Sequence, residues 1–358
     1  MLQKDLVPPH TGQRPAKVDY KRIATEEAFA PPDLFDMYRK VLADGKADAG
    51  FTSLWAFYLS SEAARPQHIR KYIQDLDAAR IAHMDEAGID VQVLSLTSPG
   101  VQVFDADTAV SYARSANDYL AEAVRRHPAR FVGLTAIAPQ NPTEAAKEIE
   151  RGATQLGMKG VIVNSHTQGE YLSDPKFWDI FAAAEAFDMP VYLHPSSPPP
   201  KMIEPFMEAG LDGAIYGFGV DTGLAALRTI TAGVFDRFPR LQMILGHMGE
   251  ALPYWAYRLD YMHAATVRSQ RYASMQALQR RPSDYLRENF YITNSGVAWE
   301  QAIRFAQEFM GVDRVMYAMD YPYQHVLDEV IALDNMNMAP EIKKAFFQTN
   351  AERLFKIG

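Results

Sequence analysis

The chain is 358 residues long, 48% hydrophobic and 22% charged, an ordinary globular composition with enough length for a large core. Its net charge of −8 argues against a nucleic-acid partner, which calls for a basic footprint, while leaving room for a locally basic pocket that takes an anionic substrate. With no cysteine, disulfides, thiolate metal sites and a cysteine nucleophile are excluded, so any metal has to be held by His, Asp or Glu.

The opening stretch, MLQKDLVPPHTGQRPAKVDYKR, is polar and contains proline, without the apolar core of a signal peptide. No apolar run elsewhere is long enough to span a bilayer, and the expectation is a cytoplasmic protein with no membrane partner. Residues 1–20 read as an N-terminal tail and 21–358 as a single domain. From about residue 22, short apolar runs alternate with longer amphipathic segments. The expected strands are 22–29 (RIATEEAF), 90–98 (DVQVLSLTS), 131–139 (FVGLTAIAP) and 158–165 (MKGVIVNS). Four more follow at 189–195 (MPVYLHP), 241–249 (LQMILGHMG), 290–296 (FYITNSG) and 315–322 (VMYAMDYP). Between them, 107–127 and 141–157 read as helices, the latter with Asn141 as cap and Pro142 at its first position.

Eight strands, each leading into a helix, is the count of an α/β protein of the (β/α)8 TIM-barrel type. A doubly wound sheet is the structural competitor, but it has no need of eight. Two stretches exceed a minimal barrel: 30–75 after the first strand and 196–221 after the fifth. Insertions of that length after barrel strands usually build walls, lids or interfaces.

The strand ends carry the polar residues. The first ends in Glu26-Glu27, the fourth in Asn164-Ser165-His166 and the fifth in His194. The sixth ends in His247 and Glu250, the seventh in Asn294 and the eighth in Asp320. In a barrel these C-terminal ends meet at one mouth. Taken singly each has an ordinary explanation: alternation turns one of Glu26 and Glu27 to solvent, and Asp320 caps the turn before Pro322. Taken together they suit one metal with oxygen and imidazole ligands, Zn or Mn, and the carboxylate-rich set leans to Mn. Arg258, which follows GHMGE by a few residues, is placed to fork onto a substrate carboxylate. Arg65 and Arg228 are further arginines of interest. Trp55, Phe57, Tyr58 and Tyr323 offer flat walls for an aromatic ring or, equally, core packing.

RIATEEAFA, NSHTQG, YLHP, ILGHMGEALPYW, TNSGVAWE and YAMDYPYQ resemble the metal-dependent amidohydrolase superfamily, in its branch of non-oxidative aromatic decarboxylases. The resemblance runs from about residue 20 to the end. It implies metal ligation by Glu26, His194 and Asp320, with Mn2+ expected in preference to Zn2+ and no organic cofactor. It implies that His247 lies beside the metal with Glu250 supporting it, that Arg258 binds carboxylate, and that Asn294 and Tyr323 line the pocket. It further implies a homo-oligomer, dimer or tetramer, in which Tyr58 and Arg65 come from a neighbouring subunit. The chain departs from the family at Ala28, where many relatives carry a second first-strand ligand as H-x-H or E-x-H.

The chemistry implied is loss of CO2 from a small aromatic acid with a hydroxyl ortho to the carboxylate, in the breakdown of lignin-derived aromatics. Asp320 is the candidate acid that protonates the ring carbon, and no fingerprint of a nicotinamide or pyridoxal enzyme is present. Two other readings compete: a metal-dependent hydrolase of the same superfamily and a non-catalytic barrel that binds metal for stability. Among decarboxylases, a related ortho-hydroxybenzoate such as γ-resorcylate is the alternative substrate.

Overall fold

The computed structural model describes residues 11–358, and its first strand, β1 (Ile23–Phe29), is buried along its whole length. β1 pairs in parallel with β2 (Val91–Leu96), and β2 with β3 (Phe131–Gly133). The third expected strand is broken at Leu134 into β3 and β4 (Thr135–Ala136). Leu134 itself still donates to Leu94 O at 2.9 Å, and Thr135 donates to Gly160 O at 2.8 Å, so the chain crosses the break without leaving the wall. The sheet continues in parallel through β5 (Val161–Asn164), β6 (Val191–His194), β7 (Met243–Leu245), β8 (Phe290–Thr293) and β9 (Val315–Met316). Closure onto β1 comes from Thr25 N to Tyr317 O at 3.1 Å and Ala28 N to Tyr321 O at 2.8 Å. The ring is the expected barrel, with strands buried on both faces as a helix-covered parallel sheet requires.

Helices form where their caps allow. Ala106–Arg126 begins at Asp105, whose side chain accepts from Thr108 N, and Pro142–Arg151 begins at Asn141, whose side chain accepts from Glu144 N. The insertion after β1 is filled by three helices, Leu34–Ala43, Ala49–Ser60 and Ala64–Ile73. The insertion after β6 holds the short helix Glu204–Glu208 and the start of Gly217–Thr231. Of the expected tail, residues 1–10 lie outside the described residues. Residues 11–20 are tied down, Thr11 N to Asp328 at 2.6 Å and Tyr20 Oη to Asp334 at 2.8 Å. Among the described residues, no helix is long and apolar enough to cross a membrane.

Two strands stop furthest short of their apolar runs. The run 241–249 ends as a strand at Leu245, because His247, Met248, Gly249, Glu250 and Ala251 all take positive φ, between 50° and 74°. The run 315–322 is a strand only over Val315–Met316. Beyond it the backbone donors go elsewhere: Tyr317 N to Phe346 O, Ala318 N to Asn294 Oδ1, and Met319 N and Tyr321 N to Glu27.

Behind β9, three imidazoles stack: His68 on His83 at 6.0 Å between centroids and His83 on His325 at 4.9 Å. His83 Nδ1 also meets Tyr321 Oη at 2.8 Å. Burial, then the neighbouring His83, pulls His325 down to about 4. Its folded pKa lies below the ordinary value, so the unfolded chain takes up the proton first as pH falls. His325 therefore contributes stability that is full above about 6.5 and is lost between there and about 4. Replacing His325 by Phe is expected to flatten the fall of thermal stability across that window, by up to about 1.4 kcal/mol per pH unit. Calorimetry of parent and variant from pH 7 to pH 4 checks this, and parallel curves would contradict it.

Candidate active site

The site begins with a bulge. Ala24 pairs with Gln92 and Glu27 with Leu94, so three steps along β1 match two along β2. Regular alternation would turn Glu26 and Glu27 to opposite faces and expose one of them. Instead both are buried, which sets aside the ordinary alternative in which one of them faces solvent. Burial drives the Glu27 carboxyl up to about 8, against two backbone N–H donors and the Arg80 charge that favour its ionised form.

Glu26 points into the mouth. Its Oε2 accepts from Tyr192 Oη on β6 and from Thr293 Oγ1 on β8, the latter at 3.1 Å. Its Oε1 is buried with no hydrogen-bond partner, an expensive condition for a carboxylate oxygen. Around it stand His194 Nε2 at 3.4 Å and His247 Nε2 at 3.8 Å. His194 Nδ1 lies 2.9 Å from the Pro195 carbonyl, an acceptor only, so Nδ1 carries the proton and Nε2 presents its lone pair to the mouth. His247 Nδ1 is held in the same way by Glu250 Oε1 at 2.8 Å. Glycines make the approach possible: a Cβ on Gly246 would stand 2.7 Å from Glu26 Oε2, and one on Gly219 2.8 Å from Glu250 Oε2.

Asp320 enters from the end of β9 with φ of 69°. Burial first, then the Glu26 charge, raises its carboxyl well above the usual range, with His247 opposing. Burial lowers His194, which favours the neutral ligand form. Burial also pulls on His247, but Glu250, Glu26 and Asp320 outweigh it and hold it up to about 10. The mouth thus carries negative charge that has to be met by protons or by a cation. Among the described residues, no three His, Asp or Glu side chains stand as a finished metal cage. The fit to a divalent ion rests on the orphaned Glu26 Oε1, the imidazole nitrogens facing it and the crowded Asp320 carboxyl. Oxygen with imidazole is the donor set of Mn or Zn.

Glu26, His194, His247 and Asp320 open onto a cavity of about 260 Å³, room for one substituted ring. Leu54, Leu96 and Phe218 give it apolar walls. Tyr323 lines it with its hydroxyl on Thr97 Oγ1 at 2.6 Å, and its ring meets Tyr58 edge-on at 5.9 Å. Arg65 sits at the rim, donating to Tyr58 Oη at 2.9 Å and to Tyr323 O at 3.1 Å.

Several expectations need correction. Tyr58 and Arg65 line the mouth of their own chain, because Ala49–Ser60 and Ala64–Ile73 fold back over it, so the site does not need a neighbour to supply them. Arg258 is exposed on the helix Leu252–Ser269 and does not line the cavity. It shares the outer face with Tyr254 and Tyr261, which are 75% and 63% exposed, while Leu252, Pro253 and Ala256 are the positions turned inward. Asn294 is buried but spends its Oδ1 on Ala318 N at 3.0 Å, tying β8 to the end of β9 rather than lining the cavity. The inward residue of that strand end is Thr293, one position earlier. His166 is spent on Ser197 O at 2.8 Å and lies outside the cavity, Trp55 is core, Phe57 is 52% exposed, and Arg228 stacks on Tyr171 at 4.7 Å. Sequence reasoning passed over Tyr192, although it stands two residues before His194 and so on the same face of its strand.

A family model described as amidohydrolase matches residues 48–357. The γ-resorcylate decarboxylase of Polaromonas sp. (strain JS666) is 36% identical over 298 residues, 81% of this chain and 90% of that protein. The γ-resorcylate decarboxylase of Rhizobium radiobacter is 34% identical over 94% of this chain and 98% of its own. Among solved structures, 5-carboxyvanillate decarboxylase from Novosphingobium aromaticivorans DSM 12444, with manganese and 4-hydroxy-3-methoxy-5-nitrobenzoic acid, superposes with a TM-score of 0.93. It is 54% identical, and 99% of each chain is covered. The 5-carboxyvanillate decarboxylase of Sphingomonas paucimobilis follows at TM-score 0.89 and 40% identity, covering 95% of this chain and 100% of that one.

Glu26→Gln tests the charge argument. The amide keeps an acceptor for Tyr192 and Thr293 and turns its NH2 toward the imidazole nitrogens. The variant is expected to melt no lower than the parent in chelator and to lose the upward shift that Mn2+ gives the parent, about 3–4 kcal/mol of stabilisation at 100–1,000 times the Kd. Thermal melts with chelator and with Mn2+ check it. A variant that Mn2+ still stabilises fully would contradict it.

Proposed function

The chain belongs to the amidohydrolase family, and from that premise we propose that it is a metal-dependent, non-oxidative decarboxylase that converts 5-carboxyvanillate to vanillate and CO2. The observation that carries the reading is one cavity, sized for a single ring, that joins the Glu26, His194 and Asp320 cluster to the Arg65 guanidinium. 5-Carboxyvanillate has a phenol with an adjacent carboxylate for the cluster and a second carboxylate for the guanidinium. γ-Resorcylate has no second carboxylate, which favours the first substrate. The full-length likeness to 5-carboxyvanillate decarboxylases supports the same choice.

Glu26, His194 and Asp320 are the residues that would hold the ion, Mn2+ in preference to Zn2+, and no organic cofactor enters the reaction. A bound Mn2+ supplies positive charge that orients the phenolate and its neighbouring carboxylate and favours the ionised phenol. Everything else is done by the chain. Tyr58 and Tyr323 wall the ring, and Arg65 takes the remote carboxylate in a charge-assisted pair. Asp320 accepts the phenol proton as substrate enters, then gives it to the ring carbon that bears the reacting carboxylate. That carbon becomes tetrahedral and aromaticity is lost. The bond to the carboxylate then breaks, its electron pair restores the ring, and CO2 departs. His247, fixed by Glu250, presents Nε2 to the reacting end of the ring and offsets charge there. Desolvation by Leu54, Leu96 and Phe218 strengthens each of these interactions.

The working form is a homo-oligomer. The row Tyr254, Trp255, Tyr257, Tyr261 and Met262, each at least 41% exposed on one helix, supports this, since monomers seldom leave so much aromatic surface open. The enzyme would act in the cytoplasm on lignin-derived aromatics.

Metal-stripped protein assayed without oxygen is expected to release CO2 from 5-carboxyvanillate only after Mn2+ is added. No CO2 from protein with measured Mn2+ would reject the substrate and move attention to γ-resorcylate. Asp320→Asn is expected to lower kcat at least about a thousandfold while substrate binding is retained. Near-normal turnover would remove Asp320 as the acid. Arg65→Gln is expected to raise KM about tenfold or more with a smaller effect on kcat, read from initial rates.

A further inference from the structure

Glu27 lies one residue from the metal-facing Glu26, yet its side chain leaves the mouth and turns to the seam where the barrel closes. Its two oxygens divide between two backbone donors: Oε1 accepts from Met319 N at 2.9 Å and Oε2 from Tyr321 N at 2.9 Å. Those two residues bracket Asp320. Asp320 holds φ at 69°, a left-handed conformation that is uncommon outside glycine, although Asp tolerates it better than most residues.

From this geometry we propose that Glu27 is the positioning residue for Asp320, fixing its backbone from both sides so that its carboxylate joins Glu26 and His194 at the mouth. Among side chains, the carboxyl group is the one that sets two acceptor oxygens side by side. A backbone carbonyl could satisfy one of the two amides, and the other would be buried unpaired. Supporting bonds fasten the same segment to β1: Ala28 N donates to Tyr321 O at 2.8 Å. The fully buried Arg80 donates to Ala28 O at 2.7 Å and lies over the Tyr321 ring at 4.6 Å. The bulge in β1 makes both roles possible, since it lets Glu26 and Glu27 enter the interior in succession. Glu27 touches no reacting atom and acts through Asp320, so the inference rests on the assignment of Asp320 as ligand and acid.

The test is a double-mutant cycle read by Mn2+ binding to the full, metal-stripped chain, with free Mn2+ counted by electron paramagnetic resonance. Glu27→Gln replaces one acceptor with a donor that faces an N–H. It is expected to weaken Mn2+ binding about tenfold in the parent and less than about twofold when Asp320 is already changed to Ala. Equal weakening in both backgrounds would make Glu27 a general scaffold residue and overturn the inference while leaving Asp320 a ligand. No weakening in the parent would overturn it as well. If Asp320→Ala itself leaves Mn2+ binding unchanged, the ligand assignment falls and takes the inference with it, a failure told apart by that single variant. Should Glu27→Gln not fold, Glu27→Asp, with both acceptors on a shorter arm, is expected to give the same non-additive pattern.

Discussion

Carboxylates removed from water at the closing seam of the barrel are the constraint on which the site depends. Glu26 and Glu27 are consecutive and buried, and Asp320 joins them from the far end of the chain. Each such group raises the cost of ionising its neighbours unless donors or positive charge answer it. The structure answers Glu27 with backbone amides and Glu26 Oε2 with hydroxyls. Glu26 Oε1 and Asp320 are left to the mouth, where His194 and His247 gather. Fold and chemistry are therefore joined at one place. The bonds that close the barrel run from Thr25 and Ala28, which flank the two glutamates, and from Glu27 itself to the residues on either side of Asp320.

That dependence also explains the irregularity of the mouth. An ideal strand end would present its donors to neighbouring strands, but the segment 317–321 gives them to Phe346, Asn294 and Glu27. The left-handed run from His247 to Ala251 serves a similar end, bringing Glu250 within 2.8 Å of the histidine it orients. Strain of this sort persists when packing over-determines it. Here the determinants are visible: Glu27 and Glu250 accepting from donors within these segments, and glycines at 219 and 246 where a Cβ would collide with a carboxylate.

The eightfold alternation of apolar runs and helices was legible because parallel barrel strands are buried on both faces and read as short continuous apolar stretches. Glu26, His194, His247 and Asp320 were legible as polar ends of such stretches. What failed was direction. Asn294 and Thr293 are adjacent, and which of them points inward depends on the phase of a strand, which the polar end alone does not state. Arg258 looked close to the mouth by residue count, yet helical periodicity aligns it with the exposed Tyr254 and Tyr261. The bulge between Ala24 and Glu27 could not be read either, since nothing in ATEE distinguishes a bulged strand from a regular one with one glutamate outside.

Ala28 bears on why the proposed reaction is a decarboxylation rather than a hydrolysis. It lines the cavity where the H-x-H or E-x-H pattern of the resemblance would place a histidine, and its backbone is engaged on both sides, N–H to Tyr321 and carbonyl to Arg80. A methyl group there fills little and offers no ligand atom, so an ion held at the mouth would have one protein donor fewer and more room beside it. A hydrolase needs one open position, filled by the single water that attacks a carbonyl. A decarboxylase of an ortho-hydroxy acid gains from more room than that, because the phenolate and its carboxylate are themselves two oxygen ligands and need somewhere to bind. The departure from the family pattern is thus consistent with the Arg65 guanidinium and the aromatic walls of the cavity. All three favour an anionic ring over a neutral ester.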